Sequence, residues 1–223
     1  MKRYAIILAG GNGSRMNAGI PKQFMLLKGL PILMHTINRF YDFDSNIHII
    51  LALPQSHIVV WEKLCKAHTF KIKHQVVSGG ETRFHSVKNG LDAITETNVV
   101  VGIHDGVRPF VSNETLISCF EVAQKLGNAV PSISVSESMR KVENSENTCL
   151  DRNQVKVIQT PQCFQIGLLK KAFLQTYLYS FTDDATVLEA IGEKINLVEG
   201  NAANIKITTP HDLKIAEVIL SSL

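Results

Sequence analysis

Val99-Val100-Val101-Gly102-Ile103 is a run of β-branched residues broken only by one glycine. A strand with no polar alternation needs apolar cover on both faces, which it finds in the middle of a parallel sheet packed between helices. The segments before it carry the matching alternation. Tyr4 to Leu8 reads as a first buried strand, Pro31 to Phe40 as a helix with proline at its start, and Ile47 to Leu53 as a second strand. A helix from Ser56 through Trp61 and Cys65, a short strand at Lys73 to Val77 and a helix with Phe84, Val87, Leu91 and Ile94 on one face follow. Strands alternating with helices imply right-handed βαβ units and a doubly wound, mostly parallel α/β sheet. Ligands in such sheets bind beyond the carboxyl ends of the strands.

Two of those strand ends meet glycine. The first strand runs into Ala9-Gly10-Gly11-Asn12-Gly13-Ser14-Arg15-Met16, followed by Pro21-Lys22-Gln23-Phe24. Bare backbone lets N–H groups approach an anion closely, and Arg15 and Lys22 add cations at both ends of the loop. The segment lacks the Lys-Ser or Lys-Thr of a Walker loop, and Met16 stands where a dinucleotide loop has its third glycine. A polyphosphate loop of another type and a tight turn with solvated basic neighbours both fit these residues. The second glycine turn is Ser78-Gly79-Gly80, leading into a helix.

The formal net charge of +3, from 23 Lys and Arg against 20 Asp and Glu, is too mild for a nucleic-acid binder, which would carry clustered basic stripes. Cys65, Cys119, Cys149 and Cys163 form no C-x-x-C pair, so neither a zinc site nor a disulfide framework is indicated, and reduced thiols suit a cytoplasmic protein. The short apolar run after Lys2-Arg3 meets glycine rather than a cleavage site, and no run approaches membrane-spanning length.

Between Pro131 and Gln159 the pattern changes. Alternating stretches at Met139 to Val142 and Gln154 to Val157 flank the polar run Glu143 to Thr148, which predicts a β-hairpin arm leaving the main sheet and offering a dimer contact. Helices are expected at about 166–177 and 184–191, a strand at 195–198 and a last helix from Pro210. No repeat or linker divides the chain, so residues 1–223 read as one domain with an arm at about 134–158.

Several residues at the predicted strand ends could carry chemistry. Asp105 follows the central strand and is either a metal ligand or a turn residue of the Asp-Gly pair. Arg108 is an anion clamp or a surface ion pair, and His104 is expected to pack beside the strand. Ser86, one turn into a helix beside Gly79-Gly80, could contact a nucleobase or bond back to its own backbone. Thr182, before two carboxylates and an apolar run, reads as a helix cap. Lys206, between Ile205 and Ile207, is either solvated or aimed into the site.

Taken in order, the glycine loop with Pro21-Lys22-Gln23, Gly79-Gly80 with Arg83 and Ser86, and His104-Asp105 with Arg108-Pro109 begin a longer series. Asp151-Arg152, Thr160-Pro161-Gln162, Thr182-Asp183-Asp184-Ala185 and Asn204-Ile205-Lys206 complete it. The series resembles the 2-C-methyl-D-erythritol 4-phosphate cytidylyltransferases of the non-mevalonate isoprenoid pathway, over nearly the whole chain.

The resemblance implies a nucleotidyltransferase with a Rossmann-like sheet that uses CTP and magnesium, releases pyrophosphate and forms a CDP-alcohol. By that resemblance Ala9, Gly10, Gly11 and Gly13 line the nucleotide, with Gly80 and Ser86 near the cytosine and Arg15, Lys22 and Lys206 stabilising charge in catalysis. Asp105 serves the metal and the acceptor, while Arg108, Thr160 and Thr182 surround the acceptor. Ser138 and Arg152 would enter the neighbouring subunit's site of a homodimer, Ser138 standing where relatives can carry threonine. Leu8-Ala9-Gly10-Gly11 and Ile20 to Phe24 are also similar to the ribitol 5-phosphate cytidylyltransferases, so the acceptor stays open between two sugar-alcohol phosphates. Gly80 to Ser86 and Thr182 to Ala185 favour methylerythritol phosphate. A CTP-binding protein that performs no transfer is the reading from another class.

Overall fold

The structure, a computed structural model, describes residues 1–11 and 20–222. Gly13 and Arg15 lie outside the described residues.

The amino-terminal half follows the βαβ alternation. Strand β1 (Lys2–Leu8) leads to a 3₁₀ turn at Lys22–Phe24 and a two-stranded ladder of β2 (Leu26–Leu27) and β3 (Leu30–Pro31). Helix α1 (Ile32–Phe43), β4 (His48–Leu53), α2 (Gln55–Ala67), β5 (Gln75–Ser78), α3 (Arg83–Asp92) and β6 (Val99–Asp105) follow. Strands β6, β1, β4 and β5 pair in parallel.

Helix α4 (Asn113–Leu126) is capped by the Ser112 hydroxyl, which accepts from Thr115 N–H, and ends at Gly127 with φ 93°. Then come β7 (Asn128–Ser134), β8 (Met139–Glu143), β9 (Glu146–Leu150), β10 (Lys156–Ile158) and β11 (Gln162–Gln165). Helices α5 (Ile166–Ala172) and α6 (Asp184–Glu189), β12 (Leu197–Glu199) and α7 (Pro210–Ser222) complete the order. The main sheet runs β10-β7-β11-β6-β1-β4-β5, with β12 parallel to β7. The valine run thus occupies the middle of the sheet, as a strand apolar on both faces requires.

Alternate residues of each central strand feed opposite layers. Ala5 and Ile7 of β1 join α1, α2 and α4 through Met34, Phe40, Trp61 and Phe120, while Tyr4 and Ile6 join α3 and α5 through Phe84, Leu91 and Leu169. Gly102 is the one break in the valine run because a Cβ there would stand 3.1 Å from both Cys163 Sγ and Phe120 Cζ. Among the described residues no helix is long and apolar enough to cross a membrane.

Four expectations about elements need correction. Residues Asn144 and Ser145, with φ of 47° and 70°, close a two-residue turn, so β8 pairs with β9, Glu143 opposite Glu146. The stretch expected to be its partner instead supplies β10, which pairs antiparallel with β7 at the sheet edge. Helix α5 stops at Ala172 rather than near 177, where Gln175 Nε2 donates to Ala172 O. The apolar residues beyond it, Phe173, Tyr177 and Phe181, pack around Phe84 instead. The cap of α6 is Asp183, not Thr182: its carboxylate accepts from Thr186 N–H, and Thr186 Oγ1 accepts from Asp183 N–H.

Candidate active site

A cleft of about 300 Å³ opens beyond the carboxyl ends of β1, β5 and β6. Ala9, Gly10 and Gly11 form one wall with Lys22, and Gly80 and Ser86 form another. Asp105 and Lys206 stand at a third side. A larger depression of about 930 Å³ lies at the amino-terminal ends of β1 and β4, beside Tyr4 and His48, the wrong end of the sheet for this chemistry.

The glycine wall is held from behind. Gln23, 1% exposed, donates from Nε2 to Ala9 O at 2.8 Å, and Ala9 N–H donates to Ala52 O. Phe24 anchors the same turn in the core, stacked on Trp61. The Lys22 stem lies against the glycines, since a Cβ on Gly11 would come 3.3 Å from Lys22 Cε. The second wall is as tight: a Cβ on Gly80 would collide with His85. Ser86 Oγ accepts from Gly80 N–H at 3.1 Å and donates to Thr82 O at 3.0 Å. Its hydroxyl therefore bonds back to its own helix and also shapes the glycine turn.

Asp105 is the electrostatic centre. Its Oδ2 lies 3.0 Å from Lys206 Nζ and 3.2 Å from Arg108 Nε. Burial pushes its carboxyl pKa up, but Lys206, Arg83 and Arg108 override that and hold it well below the ordinary carboxylate range. Lys206 is thus aimed into the site, with Ile207 fully buried on the opposite side of the segment. Arg108 is no surface ion pair: its side chain is 13% exposed and its Nη1 donates to Asn204 O at 2.8 Å. The turn reading of Asp105 also holds, because its carbonyl accepts from Arg108 N–H.

Thr160 sits beneath this centre. Its Oγ1 accepts from Asp105 N–H at 3.1 Å and lies 3.1 Å from His104 Nδ1. His104 is fully buried, edge-on to Phe40, and burial lowers its pKa to about 4. It packs beside the strand, as expected.

The profile of one family, described as IspD: 2-C-methyl-D-erythritol 4-phosphate cytidylyltransferase, matches residues 4–222. The chain belongs to that family. A 2-C-methyl-D-erythritol 4-phosphate cytidylyltransferase of Phocaeicola vulgatus is 51% identical over 220 residues, covering 99% of this chain and 100% of the relative. One from Bacteroides fragilis is 50% identical over the same length and coverage. Among solved structures, the 4-diphosphocytidyl-2C-methyl-D-erythritol synthase of Anaerococcus prevotii superposes with a TM-score of 0.83 at 26% identity, covering 99% of this chain and 96% of that one. The cytidylyltransferase of Thermus thermophilus gives 0.80 at 30% identity, covering 99% and 100%.

Within the cytidylyltransferase cleft the structure gathers Ala9, Gly10, Gly11, Lys22, Gly80, Ser86, Asp105 and Lys206, with Arg108 and Thr160 bonded directly to Asp105. Thr182 is exposed and lines a separate depression with Gln154 and Lys156. Ser138 and Arg152 are exposed beside the β8–β9 hairpin, where Arg152 Nη1 donates to Ser136 O at 2.6 Å.

Sequence reading missed the scaffold of the site. Arg83 makes a bidentate pair with the fully buried Asp184 at 2.7 and 2.6 Å, tying α6 to α3. Burial opposes the charge of both groups; the pairing overrides it for Arg83, which stays protonated, whereas burial still leaves the Asp184 carboxyl above its ordinary value. Gln162 joins the same corner, donating to Asp183 Oδ2 and accepting from Ala185 N–H. The second of two consecutive carboxylates, Asp183-Asp184, was the available signal, masked by its usual meaning as a helix start.

Proposed function

We propose that this cytidylyltransferase moves CMP from CTP to 2-C-methyl-D-erythritol 4-phosphate, releasing pyrophosphate and forming 4-diphosphocytidyl-2-C-methyl-D-erythritol. The observation that carries the reading is one carboxylate, Asp105, held between Lys206 and Arg108 across the cleft from Gly10, Gly11 and Lys22. One side suits a polyphosphate, the other a charged polar acceptor.

The acceptor phosphate is largely a dianion at neutral pH, with a second pKa of about 6, so it can attack the α-phosphate of CTP without a protein base. The buried His104, its ring nitrogens turned to Arg108 and Thr160, takes no part as a base. Catalysis then rests on in-line alignment and charge neutralisation. Lys22 would meet developing charge from the glycine wall and Lys206 from the acceptor side, with Arg15 as a third cation. Gly80 and Ser86 would face the cytosine. Arg108 and Thr160 would serve the acceptor end, whereas Thr182 lines a separate depression.

Magnesium fits this donor set. No group of three or more His, Cys, Asp or Glu able to hold a metal occurs among the described residues. Mg²⁺ commonly takes only one or two carboxylates and completes its shell with phosphate oxygens and water. Asp105 is the carboxylate that would hold it. When bound, the ion would neutralise charge on the triphosphate.

The active form in this proposal is a cytoplasmic homodimer joined through the β8–β9 arm, bringing Ser138 and Arg152 to the partner's cleft. The exposed ladder at 139–150 and the free thiols support that setting. Pyrophosphate release with CTP tests the activity, using methylerythritol phosphate and ribitol phosphate as alternative acceptors. Release with the first is expected. Release with ribitol phosphate alone reassigns the acceptor, and CTP binding without any release leaves a binding protein.

A further inference from the structure

Four residues from three distant segments close a ring of hydrogen bonds under Asp105. His104 Nε2 lies 2.9 Å from Arg108 O, and Arg108 Nη1 donates to Asn204 O at 2.8 Å. Asn204 Nδ2 donates to Thr160 O at 2.8 Å, and Thr160 Oγ1 returns to His104 Nδ1 at 3.1 Å. His104 and Asn204 are fully buried and Thr160 is 6% exposed. Asp105 hangs from this ring twice, through its N–H to Thr160 Oγ1 and through Oδ2 to Arg108 Nε.

Geometry fixes the direction of the bond at Nε2, and burial fixes that at Nδ1. Arg108 O can only accept, so His104 Nε2 carries a proton and donates. Both ring nitrogens face uncharged partners in a fully buried place, where an imidazolium would be costly, so Nδ1 is bare and accepts from the Thr160 hydroxyl. That hydroxyl spends its single hydrogen on His104 and one lone pair on Asp105 N–H. It has no proton left to donate to an acceptor phosphate.

We propose that His104 is a positioning residue for the acceptor end of the cleft: as the Nε2–H tautomer it orients the Thr160 hydroxyl and the Arg108 turn, which together aim the Asp105 carboxylate. The inference rests on the cytidylyl-transfer reading. Among the described residues the ring's hydrogen bonds run to one another and to Asp105 and not to the glycine walls, so its effect belongs to the acceptor and to turnover rather than to CTP.

The test is steady-state kinetics in both substrates, with CTP affinity measured separately, for His104→Phe, His104→Asn and Thr160→Val. Phenylalanine fills the space beside Phe40 but removes both bonds. Asparagine restores an acceptor near the Nδ1 position, and valine removes only the Thr160 hydroxyl. Expected for His104→Phe and Thr160→Val is a fall in kcat of about tenfold or more with a raised acceptor KM, and CTP affinity within about threefold of wild type. His104→Asn should recover part of the loss, and the Phe/Val double variant should be little worse than either single change. Wild-type acceptor kinetics in His104→Phe would overturn the inference, as would a parallel loss of CTP affinity. Should His104→Phe fail to fold, Thr160→Val decides by the same criteria. Histidine ¹⁵N shifts give a second readout: a protonated Nδ1 on His104 contradicts the assignment. A wild-type protein that releases no pyrophosphate overturns the functional reading itself, whereas an active one with unaffected variants overturns only the role of His104.

Discussion

Lys206 Nζ and Arg108 Nε converge on the same oxygen of Asp105, at 3.0 and 3.2 Å, although Lys206 comes from a segment about a hundred residues further along the chain. The carboxylate is what keeps two cations side by side. Asp105→Asn keeps the shape but removes the charge, which frees Lys206, 43% exposed, to turn to solvent. Turnover should fall on the order of 10²-fold with acceptor KM raised, while CTP affinity without the metal changes little. Kinetics in both substrates check this, and unchanged turnover removes Asp105 from the active machinery.

Lys22 is mostly buried along the glycine wall, with its stem fixed beside Gly11. A cation held this way stabilises charge that grows as pyrophosphate departs, so Lys22→Ala should lower kcat by ~10²-fold or more with little effect on acceptor KM. A variant that weakens only substrate binding would mark Lys22 as a binding residue instead.

The reach of sequence reading differs between the two halves of the chain. Strands β1, β4 and β6 are apolar runs, and the glycine turns and Asp105 each stand at a strand end, so the βαβ alternation and the edge of the sheet that holds the cleft were both legible. The sheet beyond β6 was not. Pro131 stands inside β7, where it normally argues against a strand, and β11 is a four-residue antiparallel insertion flanked by glutamines. The site divides similarly. Asp105 and Lys206 could be suspected individually, but the ring of His104, Arg108, Asn204 and Thr160 depends on side chains meeting across separations that carry no periodic signal.

Arg83 and Asp184 join α3 to α6 with one charge completely buried. Breaking such a pair leaves the other charge uncompensated, so Asp184→Asn should destabilise the fold by roughly 3 kcal/mol, read by urea denaturation. Replacing both residues with apolar ones of similar volume should cost less than either single change. Additive losses would show that the pair acts through packing alone.

Stability should also depend on pH through His104. Burial lowers its pKa from 6.5 to about 4, so between those values the unfolded chain binds a proton that the folded chain refuses. Stability therefore rises with pH across that window and is lost as pH falls through it, by up to roughly 3 kcal/mol. Asp105 acts in a lower window, since its depressed carboxyl pKa stabilises above the ordinary carboxylate value and is lost only below it. Denaturation of wild type and His104→Phe at pH 4 to 7 separates the two. Asp184, its carboxyl raised by burial, adds a slope of opposite sign to both proteins, so the comparison decides: the variant should lose about one proton's worth of rising slope relative to wild type, and equal slopes in the two contradict the buried neutral imidazole.

Arg152 tests the proposed dimer. Its side chain is exposed beside the hairpin and bonds Ser136 O within its own chain, away from the residues lining the cleft. If the arm crosses to a partner, Arg152→Ala damages the partner's site while Lys206→Ala damages its own. A heterodimer of the two variants then has one site carrying both defects and one carrying neither. Co-expressing the variants with different tags and isolating the mixed species should recover about half of the sites, although each homodimer is nearly inactive. Mixed species no more active than the parents would place Arg152 in service of its own chain, or of no site at all.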